Sequence, residues 1–136
     1  LWKFGNDWVF DSRLSYTYQK AQDFTDKSDK DTYGGQISYI PWHSGSAILN
    51  AGYKSWELNY SFIYTGERYD VSANTPENYR LPWYTSDFSL AKKFSWRKYD
   101  FKLTLEVNNI FNQQYEVVRS YPMPGTNFKF ILNLTI

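Results

Sequence analysis

Residues Phe101–Asn109 read F-K-L-T-L-E-V-N-N, and residues Asn127–Ile136 read N-F-K-F-I-L-N-L-T-I. Apolar and polar residues alternate almost without a break in both. Successive side chains of a strand point to opposite faces, so each run predicts a strand with a different solvent on each side. A strand of about ten residues is also long enough to cross a bilayer when tilted. The segment between them, I-F-N-Q-Q-Y-E-V-V-R-S-Y-P-M-P-G, is rich in turn formers.

The same alternation recurs upstream. Trp8, Phe10, Ser12, Leu14, Tyr16 and Tyr18 oppose Val9, Asp11, Arg13, Ser15, Thr17 and Gln19. Trp56, Leu58, Tyr60, Phe62 and Tyr64 oppose Glu57, Asn59, Ser61, Ile63 and Thr65. A weaker apolar face runs Tyr84, Ser86, Phe88, Leu90, Lys92, Phe94, and an irregular one lies in Ser46–Tyr53. Helical periodicity is not apparent. Charges stand in the middle of the polar faces: Asp11, Arg13, Glu57, Lys102 and Glu106. A sandwich with one face in water carries such charges, and so does the lumen of a barrel.

Composition leaves the same two readings open. Aromatic residues make up 21% of 136 residues, yet mean hydropathy is −0.64. An aromatic-rich soluble β-module fits, and so does a barrel that is apolar only on alternate residues and carries aromatic girdles. The net charge of +1 lacks the basic excess of a nucleic-acid partner. There is no cysteine, hence no disulfide framework or thiolate metal site. No apolar run approaches the length of a transmembrane helix, and L-W-K-F-G-N-D-W lacks the form of a secretory signal.

The connections separate the readings. Short turns fall at Gly5-Asn6-Asp7, Lys54-Ser55 and Ser95-Trp96-Arg97-Lys98, and long loops at Ala21–His43, Gly66–Trp83 and Ile110–Gly125. With one strand between neighbours, all short turns lie on one side and all long loops on the other, as in outer-membrane barrels. Gly34–His43 is read as loop, because a strand there would break the parity and Pro41 interrupts pairing. Aromatic residues form two bands: Trp8, Phe10, Trp56, Phe94 and Phe101 by the short turns, and Tyr18, Tyr64, Tyr84 and Phe128 by the long loops. Such bands anchor a barrel at the two membrane interfaces. Leu1–Phe4 reads as the end of a further strand, so the expectation is a segment of something larger.

Three motifs carry a family resemblance: Y-T-G-E-R-Y at Tyr64–Tyr69, V-N-N-I-F-N-Q-Q-Y-E at Val107–Glu116, and Y-P-M-P-G-T-N-F at Tyr121–Phe128. Together with I-P-W-H at Ile40–His43, they resemble the C-terminal barrel of TonB-dependent outer-membrane receptors. The likeness spans roughly residues 8–136 and is nearer in style to Bacteroides-type vitamin B12, haem and siderophore receptors than to glycan importers. It implies an all-β, antiparallel up-and-down transmembrane β-barrel segment: about six complete strands of a larger barrel of about 22. Residues 1–136 would be its C-terminal part, with the plug and the TonB-binding box outside them. The resemblance further implies a Gram-negative outer-membrane location and no enzymatic activity or cofactor. Its partners would be membrane lipid, the rest of the barrel and plug, the TonB complex and an unidentified small-molecule substrate. Asp11, Arg13, Glu57, Lys102 and Glu106 would then face the plug. The motif residues Tyr64, Gly66, Arg68, Tyr69, Asn108, Asn109, Phe111, Tyr115, Glu116, Pro122, Pro124 and Gly125 are assigned structural roles, with Phe111 and Tyr115 packed inside their loop. Two positions depart from the family pattern: Thr126, where an Arg is usual, and Ile136, where the family usually ends in an aromatic residue that helps barrel insertion.

Other features have plainer readings. Glu67 and Arg68 are candidates for an ion pair at the loop base or for ligand contact. A single His43 without cysteine is a poor metal signal. Asp23, Asp26, Asp29 and Asp31 lack the Gly and terminal Glu of a calcium loop and read as a solvated loop. The sequons at Asn59 and Asn133 lie within strands. Two rivals remain open: a soluble aromatic-rich β-sandwich that binds carbohydrate, and a complete barrel of about eight strands. A barrel segment alone has open edges at Leu1–Phe4 or Trp8–Gln19 and at Asn127–Ile136, and is expected to self-associate through them.

Overall fold

The computed structural model describes residues 2–4 and 7–135. The chain forms β1 (Trp2–Phe4), β2 (Trp8–Tyr18), β3 (His43–Tyr53), β4 (Trp56–Thr65), β5 (Arg68–Tyr69), β6 (Tyr79–Arg80), β7 (Trp83–Trp96), β8 (Tyr99–Asn108), β9 (Glu116–Val118), β10 (Tyr121–Pro122) and β11 (Asn127–Thr135). One antiparallel sheet takes the order β1-β2-β3-β4-β7-β8-β11, so each strand pairs with the one before it. Six of these strands are nine to fourteen residues long. The fold is all-β, an up-and-down segment of a barrel wall, as the alternation and turn parity predict.

Cross-strand register shows why the two faces matter. Directly opposed residues share a face of the sheet. On one face a row runs Phe10, Ala51, Leu58, Leu90, Leu105, Phe130 across six strands. One residue along each strand, the other face carries the row Asp11, Asn50, Asn59, Ser89, Glu106, Lys129. Slipping any strand by one residue would move its apolar set to the polar face. The register is therefore specified by the sequence pattern.

Among the described residues, no second layer packs against the apolar face. Leu14 is 76% and Phe128 78% exposed, and Ala91 is the one buried hydrophobic residue among those described. A sandwich would set a second sheet about 10 Å away over such a face. None exists among the described residues, which removes the sandwich reading. Instead the aromatic bands lie at the two strand ends. Trp8 packs 4.4 Å from Tyr53 and Phe94 stacks 5.1 Å from Phe101 at the short-turn end. Phe62 lies 5.9 Å from Tyr84, and Tyr18 5.0 Å from His43, toward the long loops. The eleven residues of β2, Trp8–Tyr18, rise about 33 Å along the strand, or roughly 25 Å at a tilt of about 40°. That is the height of the apolar band of an outer-membrane barrel.

The two polar interruptions of the apolar face on β7 are both satisfied. Ser86 is 1% exposed, and its Oγ lies 3.0 Å from the Tyr60 hydroxyl. Lys92 donates to Ser55 Oγ at 2.6 Å and stacks over Trp56, taking its charge to the short-turn end of the sheet. The turn at Ser95–Lys98 is tighter than the sequence suggests. β7 runs on to Trp96 and only Arg97 and Lys98 turn, because Trp96 pairs with Tyr99. Gly34–His43 is loop up to Trp42, and its one ladder contact is an isolated Gln22–Gln36 bridge. The Gly5-Asn6 part of the first turn, and Leu1 and Ile136, lie outside the described residues.

Candidate functional site

The polar face is cross-linked strand to strand. Asn50 donates to Asp11 Oδ2 at 3.3 Å, and Asn59 donates to Asn50 Oδ1 at 2.5 Å. Glu57 on β4 accepts Lys102 Nζ from β8 at 2.6 Å and also pairs with Lys93 of β7. One carboxylate thus ties three strands. Lys129 meets Glu106 at 3.1 Å across β8 and β11. Asp11, Asn50, Glu57, Asn59, Lys102 and Glu106, with Asn133, line a concavity of about 660 Å³ in the sheet. Four of the five charges singled out in the sequence stand together here. Arg13 lies farther toward the long loops, opposite Ile48.

The three long loops lock together above the sheet. The first, residues 19–42, is built on its aspartates. Asp23 Oδ1 accepts the Thr25 amide, Asp26 Oδ1 the Ser28 amide, and Asp29 Oδ1 the Asp31 amide. These turns hold the Asp23 and Asp26 carboxyls below the usual carboxylate range, through hydrogen bonds from Thr25 and Ser28. The Asp run is therefore turn scaffolding. Gln36, buried, reaches the Ile40 carbonyl at 2.6 Å and the Glu67 carbonyl at 3.3 Å. Its backbone is bracketed by Asn74, whose Oδ1 accepts the Gln36 amide and whose Nδ2 donates to the Gln36 carbonyl at 3.0 Å. The Tyr39 amide donates to the Tyr69 carbonyl at 2.7 Å. The first and second loops are thereby joined.

Arg68 joins the second to the third. It is only 3% exposed, and its Nη2 donates to the carbonyls of Glu116 at 2.8 Å and Val117 at 3.2 Å. Desolvation pulls its pKa down, yet an arginine stays charged at any working pH. Nearby, buried Asp70 receives Arg80 Nε at 2.8 Å and Arg119 Nη1 at 3.4 Å. Glu67 and Arg68 do not pair: Glu67 accepts the Tyr79 hydroxyl at 3.0 Å instead. Neighbouring residues in an extended chain point to opposite sides, which separates them. Replacing Arg68 by Ala removes two hydrogen bonds from a charged donor, worth about 1.5–3 kcal/mol each. The buried Nη1 has no partner, and releasing it offsets part of that loss. The expected net cost is about 2–3 kcal/mol, read as faster hydrogen exchange of residues 110–125. Unchanged exchange there would show that Arg68 does not tether the loop.

The third loop is folded around Asn109, 3% exposed with φ +52°. Its Nδ2 donates to the Gln113 carbonyl at 2.9 Å and the Pro124 carbonyl at 3.2 Å, and its Oδ1 accepts the Gln113 amide at 2.8 Å. Its own amide donates to Asp87 Oδ1 at 2.7 Å, and its carbonyl accepts Thr126 Oγ1 at 2.7 Å. Thr126, which departs from the family pattern, thus serves the turn into β11. Gly66 is required by close approach, since a Cβ there would lie 2.6 Å from the His43 carbonyl oxygen. Tyr115 packs 4.5 Å from Trp83, and burial pushes its hydroxyl pKa up. Phe111 differs from expectation: it is exposed and sits edge-on to Tyr84 at 6.3 Å, on the apolar side. Asn108 bonds Asn127 at 3.0 Å, and the Glu116 carboxylate accepts the Ser120 amide at 3.0 Å. His43 begins β3 at the long-loop end, and its Nδ1 shares a 2.8 Å hydrogen bond with the Tyr16 hydroxyl. A recess of about 460 Å³ between the second and third loops is lined by Arg80, Trp83, Gln113, Tyr115 and Pro122.

Sequence reasoning missed Gln36, Asp70, Asn74, Arg80 and Arg119. Gln36 and Asn74 carry no periodic signal, because they meet across 38 residues. Asp70 and Arg80 had one available clue, the short hairpin that sets Arg68 opposite Arg80.

The family model described as TonB dependent receptor-like, beta-barrel, matches residues 2–110. The chain belongs to the TonB-dependent receptor family. TonB-dependent receptors are nutrient receptors of the Gram-negative outer membrane, and as a family they transport rather than catalyse. The match takes in β1 to β8. Strand β11 and the loop before it lie beyond the matched residues and continue the receptor sheet in unbroken register. A search of curated proteins found no match.

Proposed function

We propose that this chain is wall and loop structure of a transporter that imports a scarce nutrient of the siderophore, haem or vitamin B12 kind. The observation that carries it is the pair of six-strand rows, one wholly apolar and one polar, on opposite faces of one sheet. The apolar row faces lipid. The polar face, with Asp11, Arg13, Glu57, Lys102 and Glu106, lines the lumen against a plug supplied by the rest of the receptor. The interlocked long loops form part of the outer, nutrient-capturing surface. Energy enters through TonB acting on the plug. The free edges at β1 and β11 pair with the remaining barrel strands, and in isolated chains with other copies. The motif set favours a receptor of Bacteroides type.

The test expresses the full receptor in cells stripped of their own receptors and follows uptake of labelled ferric siderophores, haem and cobalamin. Uptake of one class that vanishes on deleting TonB is expected. Uptake indifferent to TonB, or a soluble detergent-free monomer that binds polysaccharide, would overturn the reading.

A further inference from the structure

The two hairpins at the short-turn end share a device. Tyr53 opposes Trp56 across the Lys54–Ser55 turn, and Trp96 opposes Tyr99 across the Arg97–Lys98 turn. All four rings lie on the apolar face, and each carries a cation. Lys54 Nζ sits 5.1 Å from the Tyr53 ring centre and Lys92 Nζ 4.5 Å from that of Trp56. Arg97 lies 5.2 Å over Trp96 and Lys98 Nζ 5.3 Å over Tyr99. The remaining stacked cation, Lys20 over Trp42, lies at the opposite end of the sheet.

Backbone conformation makes the choice of residue notable. Lys54 has φ +51° and Arg97 φ +57°, a left-handed region that disfavours residues with a Cβ and suits Gly or Asn. A long cationic side chain stands there against local preference in both turns. Anions are scarce beside these four charges: Asp7 approaches Lys54 at 3.9 Å, with both side chains more than half exposed. Of the other lysines near this end, Lys93 and Lys102 are turned to the polar face and held by Glu57, and Lys3 stands opposite Val9 on that same face.

We propose that this belt is a binding surface for anionic phospholipid headgroups of the inner leaflet. The aromatic faces would sit at the acyl boundary, and the cations stacked on them would meet the headgroup phosphates. A ring beneath each cation limits the volume its long side chain explores, so less freedom is lost on meeting a phosphate. The inference rests on the membrane reading above, which sets the short turns at the periplasmic interface.

Native mass spectrometry of the full receptor, titrated with phosphatidylglycerol or phosphatidylethanolamine, tests it. The variant carrying Lys54→Gln, Lys92→Gln, Arg97→Gln and Lys98→Gln keeps the stems and removes the charge. It is expected to lose at least about five-fold of the preference for phosphatidylglycerol. Exchanging Lys54, Lys92 and Lys98 for Arg should retain that preference, and Lys27→Gln with Lys30→Gln, in the first long loop, should leave it unchanged. Equal selectivity in the four-site variant and the parent, or equal loss on changing Lys27 and Lys30, would overturn the proposal while leaving the barrel standing. A receptor that fails to insert into vesicles of either lipid would overturn both.

Discussion

Leu105→Arg is expected to destabilise the receptor barrel in a bilayer by about 2–4 kcal/mol, the penalty for an arginine near the middle of a lipid-facing strand. Leu105 stands between Leu90 and Phe130 in the six-strand apolar row and is about half exposed. No protein side chain among the described residues could shelter a charge there. Thr104, one residue away, faces the polar concavity with Lys102 and Glu106. Thr104→Lys is therefore expected to cost less than about 1 kcal/mol, like other substitutions at a hydrated surface. Denaturant titration of the reconstituted receptor, followed by the heat-sensitive gel mobility of folded barrels, compares the two. A similar loss at both positions would mean that this face does not meet lipid.

Asn109→Ala should be as damaging, at about 3–4 kcal/mol. Three side-chain hydrogen bonds go with the amide, each worth about 1 kcal/mol net. Alanine also resists the left-handed backbone at φ +52°, for roughly 1 kcal/mol more. Asn109→Gly relieves the backbone and keeps only the hydrogen-bond loss, so it should fall about 1 kcal/mol short of the alanine variant. Asn108→Ala, which removes one exposed bond to Asn127, should cost less than about 1 kcal/mol. The order Ala, then Gly, with Asn108→Ala far milder, is the expected pattern in the same titration. Equal effects at Asn108 and Asn109 would refute the idea that the buried amide organises the last loop. The consequence reaches beyond the loop, because the Asn109 carbonyl and the Pro124 carbonyl it holds lie at the entry to β11.

These two sites also differ in how far the sequence discloses them. The role of Leu105 follows from alternation, since a period of two leaves each residue only two faces and the neighbours reveal which is apolar. Asn109 sits in a motif that marks a turn, and its residue type fits a left-handed position. Which of the two adjacent asparagines is buried is invisible in N-N, because that depends on where Gln113, Pro124 and Asp87 arrive. Phe111 shows the reverse error: an aromatic residue in a loop reads as a packing residue, yet the loop's path leaves it exposed beside Tyr84. Arg68 looked like half of an ion pair with its neighbour, and the structure instead commits it to carbonyls 48 and 49 residues away.

By itself the sequence determined the strands, their faces, the parity of short turns and long loops, and the aromatic bands. Each of these is local: it follows from side-chain direction along one strand, or from the few residues that turn the chain. Tertiary structure alone decided that no second layer among the described residues covers the apolar face, that Glu57 ties three strands, and that Gln36, Asn74, Arg68 and Asp70 lock three loops into one cap. Those contacts join residues far apart in the chain through single, aperiodic side chains. Nothing in the local pattern of either partner records where the other will be.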